Sequence, residues 1–366
     1  MRVAVVHDWL VVSGGAEKVT RELLRTYDAD LFALVDFLDD TDRTFITGGR
    51  HARTSFIQRL PFARRHFRNY LPLFPMAMER LDLGGYDLIV SASYAVAKGV
   101  RKRPGQKHVC YIHTPMRWAW VKEEEYLRDH RVTGPKAALL RWQLDRLRRW
   151  DLRTNAGVDR FVANSANVAD RVKRHYGREA DVLLPPVDLD LFPLHTGPRE
   201  HFITASRLVP YKRTDRIVEA FRALPDQQLV VTGDGPELER LRRSAPANVR
   251  FTGHVGQQEL VHLLQRARAL IVAADEDLGL TPLEAQACGT PVIALRKGGY
   301  LETVPGGLGC RFFNEATPDA IGAAVRSFLE QDVPAQATQL RDRITPFSSE
   351  RFRERFRQLC EVTLQA

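Results

Sequence analysis

The sequence predicts an α/β chain of two doubly wound halves that face each other across a cleft. Short apolar runs alternate with amphipathic stretches along the whole chain, the pattern of β-α units around parallel sheets. A proline-rich interruption divides those runs into two series. The length agrees, since 366 residues at about 150 per domain make two domains.

The first series places strands at Val3–Val6, Leu31–Phe37, Asp87–Ser91, Val109–Ile112, Phe161–Ala163 and Val182–Leu184. The second places them at Phe202–Ala205, Gln228–Thr232, Val249–Thr252, Ala269–Val272, Pro291–Ala294 and Cys310–Phe313. Prolines and a glycine between Leu184 and Pro198 break any periodicity, as a linker would. The expected organisation is a Rossmann-like domain over 1–184, a linker over 185–200 and a second Rossmann-like domain over 201–345. A C-terminal helix over 346–366 follows, with Phe352, Phe356, Leu359 and Val362 at helical spacing, able to pack back across the domains. In such folds ligands sit at the carboxyl ends of the strands, so the chemistry belongs in loops that follow strands.

Composition narrows the classes. Hydrophobic residues at 44% and charged residues at 27% are ordinary for a globular protein and exclude a disordered tail or a fibre. The four cysteines show neither metal-knuckle nor redox spacing and read as core thiols. No apolar run approaches the roughly 20 residues that cross a bilayer. The N-terminus is too short in its apolar part for a signal peptide, so a cytoplasmic location is expected, free or attached at the inner face of the membrane.

Charge is unevenly placed. Of the net +9, all lies in residues 1–199, with 33 Lys and Arg against 24 Asp and Glu, while 200–366 holds 21 of each. Between Asp42 and Glu79 there are seven arginines and no acid. Such a run is either a solvated face or a surface for an anionic partner. Arg59 to Phe74, with Arg64, Arg65, Phe67 and Arg68, interleaves basic and aromatic side chains as an interfacial segment does. Arg141 to Trp150 is a second such segment.

The most informative local pattern runs from Asp275 to Pro291. Pro282 suits the first turn of a helix and Gly289 its end, so Thr281–Cys288 reads as a short helix after a strand. Glu276 and Asp277 then sit in the loop, Glu284 on the helix, and the amides around Gly279, Leu280 and Thr281 form an anion site. In the first half, Gly14 and Gly15 follow the first strand and open a helix, where backbone amides approach a phosphate closely. His113 ends another strand. Asp188-Leu-Asp190 spells a metal-binding aspartate pair but lies in the linker, and no zinc motif, P-loop or Ser-His-Asp arrangement is apparent.

With Glu276 and Glu284 separated by seven residues, the chain resembles the family 4 retaining glycosyltransferases of the GT-B fold. The resemblance extends through Ser206–Arg213, Thr232–Glu237 and Phe251–Val255. It implies that Arg207 and Lys212 neutralise the diphosphate of a nucleotide sugar, that Glu284 holds the ribose, and that Glu276 holds the transferred sugar. The backbone around Gly253 and Val255 would flank the base. Gly14 and Gly15 would meet the donor phosphate and the acceptor, and His113 the transferred sugar. Asp8, Trp9 and Arg117 would contact the acceptor. His113-Thr-Pro-Met-Arg117 followed by aromatics looks most like the O-antigen and exopolysaccharide mannosyltransferase branch, which implies GDP-mannose as donor and a lipid-linked glycan acceptor, without a metal or other cofactor. Leu278 departs from the pattern, since many members carry an aromatic there.

Other readings are a transferase that uses a UDP-sugar and a nucleotide-sugar epimerase or hydrolase. A nucleic-acid-binding protein is suggested by charge alone. The neutral second half and the lack of a nucleic-acid module disfavour a nucleic-acid partner.

Overall fold

Strand formation follows burial. Val3 to His7 are all buried, and a parallel sheet covered on both faces demands such uninterrupted apolar runs rather than alternation. A computed structural model describes residues 1–121, 123, 133–330 and 336–366. Two compact units emerge, Met1–Pro186 with Glu350–Ala366, and Val187–Ser349.

Unit 1 holds β1 (Val3–His7), β2 (Ala29–Ala33), β3 (Arg53–Thr54), β4 (Leu88–Ser93), β5 (Lys107–Ile112), β6 (Arg160–Ala163) and β7 (Asp181–Val182). They form one sheet in the order β3-β2-β1-β4-β5-β6-β7, and every pair is parallel. Unit 2 holds β8 (His201–Ala205), β9 (Leu229–Thr232), β10 (Val249–Gly253), β11 (Ala267–Val272), β12 (Val292–Leu295) and β13 (Arg311–Phe313). Their order is β10-β9-β8-β11-β12-β13, again all parallel. Both sheets are doubly wound, as the sequence predicts.

The strand expected at Leu31–Phe37 is displaced. β2 ends at Ala33, and the chain goes on as a buried loop in which the Leu34 N–H donates to the Asp8 carbonyl and the Phe37 N–H to the Leu10 carbonyl. Leu34 and Val35 are fully buried there, so apolarity continues past the end of the ladder. The two-residue β3 carries no apolar run at all.

One face of the unit 1 sheet, through Val3, Val5, Leu31 and Val90, is covered partly by the C-terminal helix Ser349–Gln365, whose Phe352, Phe356 and Cys360 are buried. Its Phe352 ring meets Tyr111 at 5.7 Å. Against the other face pack residues of the segments Ile57 to Tyr86 and Ala95 to Val100, which flank β4, and the helix Gly134–Thr154. All four cysteines are free and buried.

Most of the expected linker belongs to unit 2. The Val187 N–H donates to the Phe347 carbonyl and the His195 N–H to the Cys288 carbonyl. Arg199 then ties the segment down, with Nη1 at 2.5 Å from Thr290 Oγ1 and Nη2 at 2.7 Å from the Gly289 carbonyl. Burial lowers the pKa of this guanidinium to about 10.

Candidate functional site

Parallel strands send all their outgoing loops to one edge of a sheet. In unit 2 the strand order reverses between β8 and β11, and a doubly wound sheet binds ligands at the crevice where its order reverses. Lys212 comes from the loop after β8 and Glu276 from the loop after β11. Across that crevice Lys212 Nζ lies 2.6 Å from Glu276 Oε1, with side chains 23% and 15% exposed. The pair is therefore preset, yet open to a ligand.

Both loops are held by their neighbours. Lys212 closes the turn Pro210–Lys212, and Arg213 follows in the left-handed region at φ 57°. Arg207 is exposed in the same loop. The Leu208 N–H donates to the Asp234 carbonyl at 2.8 Å, and the Glu237 N–H to the Leu208 carbonyl at 3.1 Å. Gly233 is required at this contact, because a Cβ there would stand 1.9 Å from the Ser206 carbonyl oxygen.

The loop after β11 leads into the helix Leu280–Ala287, capped by Gly279 at φ 87°. The helix lies one residue earlier than the expected Thr281–Cys288. Asp277, Leu280 and Thr281 are partly exposed around its first turn, whose N–H groups have no partner within the helix itself. Glu284 is buried one turn further along. Behind the loop, the Gly299 N–H donates to the Glu276 carbonyl at 2.9 Å, and Lys297 Nζ lies 3.2 Å from Asp275. A Cβ on Gly298 would come within 2.3 Å of the Glu276 carbonyl oxygen. The Lys297-Gly298-Gly299 turn thus fixes the Glu276 backbone. Two strands from β8 on the opposite side, Gly253 accepts the Gly233 N–H at 2.8 Å, and Val255 lies partly buried just beyond.

In unit 1 the order reverses between β1 and β4. Asp8 follows β1 there, fully buried, and its carboxylate accepts four backbone N–H groups from the loop after β4. Tyr94 and Ala95 donate to Oδ2 at 2.6 and 3.0 Å, and Val96 and Ala97 to Oδ1 at 2.5 and 2.6 Å. Asp8 is therefore a positioning residue and not the acceptor contact expected from the sequence, since its oxygens are committed to the backbone. Trp9 packs on Phe67, Phe74 and Tyr94 and keeps partial exposure.

Gly14 caps the helix Gly15–Thr26. Its N–H donates to Glu17 Oε2 at 3.0 Å, and Glu17 Oε1 lies 3.3 Å from His7 Nε2. Buried Glu17 was legible only as the third residue after an N-cap. His113 follows β5 with its N–H donated to the Ser93 carbonyl at 2.8 Å. Its Nε2 is buried and has no hydrogen-bond partner among the described residues. Burial, helped by nearby His7, lowers the ring pKa to about 3, so His113 is neutral at working pH.

Arg117 opens the short helix Arg117–Trp120. That helix hangs on a buried charge unseen in the sequence. Lys98 Nζ lies 2.8 Å from Asp151 Oδ1, with side chains 1% and 0% exposed. Trp120 Nε1 and the Tyr176 hydroxyl both donate to Asp151 Oδ2, at 2.8 and 2.7 Å.

The interfacial reading of Phe67 does not hold. Its ring is 3% exposed, stacks on Phe74 at 6.3 Å and lies beneath the Arg68 guanidinium at 4.7 Å. Arg64 and Arg65 are exposed beside it. The exposed aromatic of this segment is Phe62.

These features agree with comparisons to known proteins. Residues 13–191 match the model described as Glycosyltransferase Family 4, and residues 193–348 match Glycosyl transferases group 1. The chain belongs to the family 4 glycosyltransferases of the GT-B fold. It is 31% identical over 242 residues to a GDP-mannose-dependent alpha-(1-6)-phosphatidylinositol monomannoside mannosyltransferase of Mycolicibacterium smegmatis, an alignment covering 56% of this chain and 63% of that protein. The match thus spans less than two thirds of this curated relative's length. Sucrose-phosphate synthase from Thermosynechococcus elongatus superposes with a TM-score of 0.76 at 18% identity, covering 99% of this chain and 98% of that one. Anabaena Alr3699/HepE, solved in complex with UDP, gives 0.71 at 16% identity, covering 99% of this chain and all of that one. Both likenesses concern the fold.

Proposed function

We propose that the chain is a retaining glycosyltransferase that moves a hexose, mannose from GDP-mannose, to a lipid-linked or polysaccharide acceptor in cell-surface glycan biosynthesis. The observation that carries this reading is the Lys212–Glu276 pair spanning the crevice of unit 2 beside the first turn of Leu280–Ala287.

As the bond from the anomeric carbon to the diphosphate breaks, negative charge grows on the leaving oxygen. Lys212, Arg207 and the first-turn amides around Gly279, Leu280 and Thr281 stabilise that charge without reorganising, in the place a metal takes elsewhere. Glu276 accepts hydrogen bonds from hydroxyls of the transferred sugar, with Asp277 beside it. Glu284 holds the ribose, and the backbone at Gly253 and Val255 lies along the base.

In unit 1, Gly14 and Gly15 offer amides to the donor phosphate, while Trp9 and Arg117 receive the acceptor at an anionic membrane on the cytoplasmic side. Neutral His113 meets a sugar hydroxyl through Nε2. The acceptor hydroxyl attacks on the face that the diphosphate leaves, and its proton passes to the departing phosphate oxygen. The configuration is thereby retained with no carboxylate nucleophile.

The test is a thermal-shift series with GDP-mannose, UDP-glucose, UDP-galactose and UDP-N-acetylglucosamine. A bound donor raises the melting temperature by mass action, and GDP-mannose should do so most. A larger rise with a UDP-sugar would favour the second reading, a transferase that uses that donor instead. No rise with any donor would refute both.

A further inference from the structure

The two basic, aromatic segments of the sequence meet in unit 1. A groove of about 690 Å³ has Leu71, Pro72 and Met76 on one wall and Trp142, Arg146 and Arg149 on the other. The second wall is one stripe of the helix Gly134–Thr154. Leu139, Trp142, Arg146, Arg149 and Arg153 recur at spacings of three and four, which puts them on one side of the helix. Leu139 and Trp142 are 57% and 54% exposed, and Met76 is 38% exposed.

The first wall continues back to a tip at Phe62. The Tyr70 hydroxyl donates to the Pro61 carbonyl at 2.8 Å, which pins the tip to the segment forming the wall. Phe62 is 80% exposed and left-handed at φ 55°. A bulky aromatic is costly in that conformation and gains nothing from water. Arg64 and Arg65 flank it, both exposed.

The charge is one-sided. Among the described residues that line the groove Glu79 is the acid, and its carboxylate is taken up by Trp150 Nε1 at 2.7 Å, Arg153 at 3.0 Å and Arg101 at 2.5 Å. What remains is apolar relief edged with arginine, complementary to lipid phosphates over hydrocarbon.

We propose that unit 1 inserts Phe62 and Trp142 into the surface of an anionic bilayer, with Arg64, Arg65, Arg146 and Arg149 against the lipid phosphates. This deepens the proposed function by naming the membrane face, and it rests on that reading only for the acceptor's location.

The test is sedimentation of the full chain with vesicles of phosphatidylcholine, with and without phosphatidylglycerol. Binding should require the anionic lipid. The Arg146→Ser, Arg149→Ser double variant should bind at least tenfold less, at about fivefold per arginine. Phe62→Ser and Trp142→Ser should each cost about tenfold. Lipids brominated in their chains should quench the fluorescence that Trp142→Phe removes. Equal binding to neutral vesicles, or loss with only one of the two aromatic substitutions, would overturn the shared face. So would a concentration-dependent dimer that Trp142→Ser abolishes, because the groove would then be a self-interface. Vesicle binding needs no sugar donor. A chain that sediments with anionic vesicles but shows no donor-induced thermal shift refutes the transferase reading alone, and the opposite result refutes the membrane face alone.

Discussion

The two units contain the same element, a lysine paired with a carboxylate, in opposite settings. In unit 1 Lys98 and Asp151 are sealed from solvent, while in unit 2 Lys212 and Glu276 remain partly open between two loops. The units also differ in charge. Unit 1 holds 36 Lys and Arg against 25 Asp and Glu, a net of +11, and unit 2 holds 18 against 20, a net of −2. A buried pair builds architecture, since its desolvation is recovered only when every polar atom finds a partner. An open pair at a strand-order reversal can be contacted by a ligand. The charge excess outside both pairs belongs to unit 1, whereas the cations proposed to meet the diphosphate belong to unit 2.

Breaking each pair should separate these roles. Lys98→Met leaves Asp151 buried beside Trp120 and Tyr176, and denaturant unfolding should show a loss of about 3–5 kcal/mol. Adding Asp151→Leu should restore part of it. Lys212→Ala should leave the melting temperature nearly unchanged while transfer falls by about 10²–10³ in kcat. A large loss of stability there would erase the contrast between the pairs.

Acid sharpens the comparison. Burial lowers the pKa of His108 to about 4 and of His113 to about 3, against about 6.5 in an unfolded chain. Below that value the unfolded chain binds more protons, so stability is full above pH ~6.5 and declines as pH falls toward 4. The slope reaches about 1.4 kcal/mol per pH unit for each ring. His113→Gln should remove one ring's share in melting curves taken across that range. The smallest effect concerns the surface. Arg64→Ser and Arg65→Ser should each weaken binding to anionic vesicles about fivefold and leave donor-induced thermal shifts unchanged.

Much of this was legible because burial in parallel sheets leaves continuous apolar runs, and nearly all strands begin within a few residues of those runs. The site in unit 2 was legible for a related reason. Pro282 and Gly289 mark a helix after a strand, which places Glu276 in the loop and Glu284 on the helix. Glu276's clamp at Lys297-Gly298-Gly299 was missed, although a second Gly-Gly after a strand was its signal. Lys98 and Asp151 lie 53 residues apart and look like surface charges, because pairing across a fold leaves no local pattern. Phe62 and Phe67 stand on the same basic run, and only the packing of Trp9 and Phe74 decides which of them is buried.

Doubly wound sheets offer a crevice wherever their strand order reverses, and this chain has two such sheets. In unit 1 the Asp8 carboxylate stoppers the reversal by gathering the amides of Tyr94 through Ala97. In unit 2 the residue following the corresponding strand β8 is Ser206, and the reversal is spanned instead by the partly exposed Lys212–Glu276 pair. The outcome is a stoichiometry: calorimetric titration should saturate at one nucleotide per chain, although the fold repeats the binding topology twice.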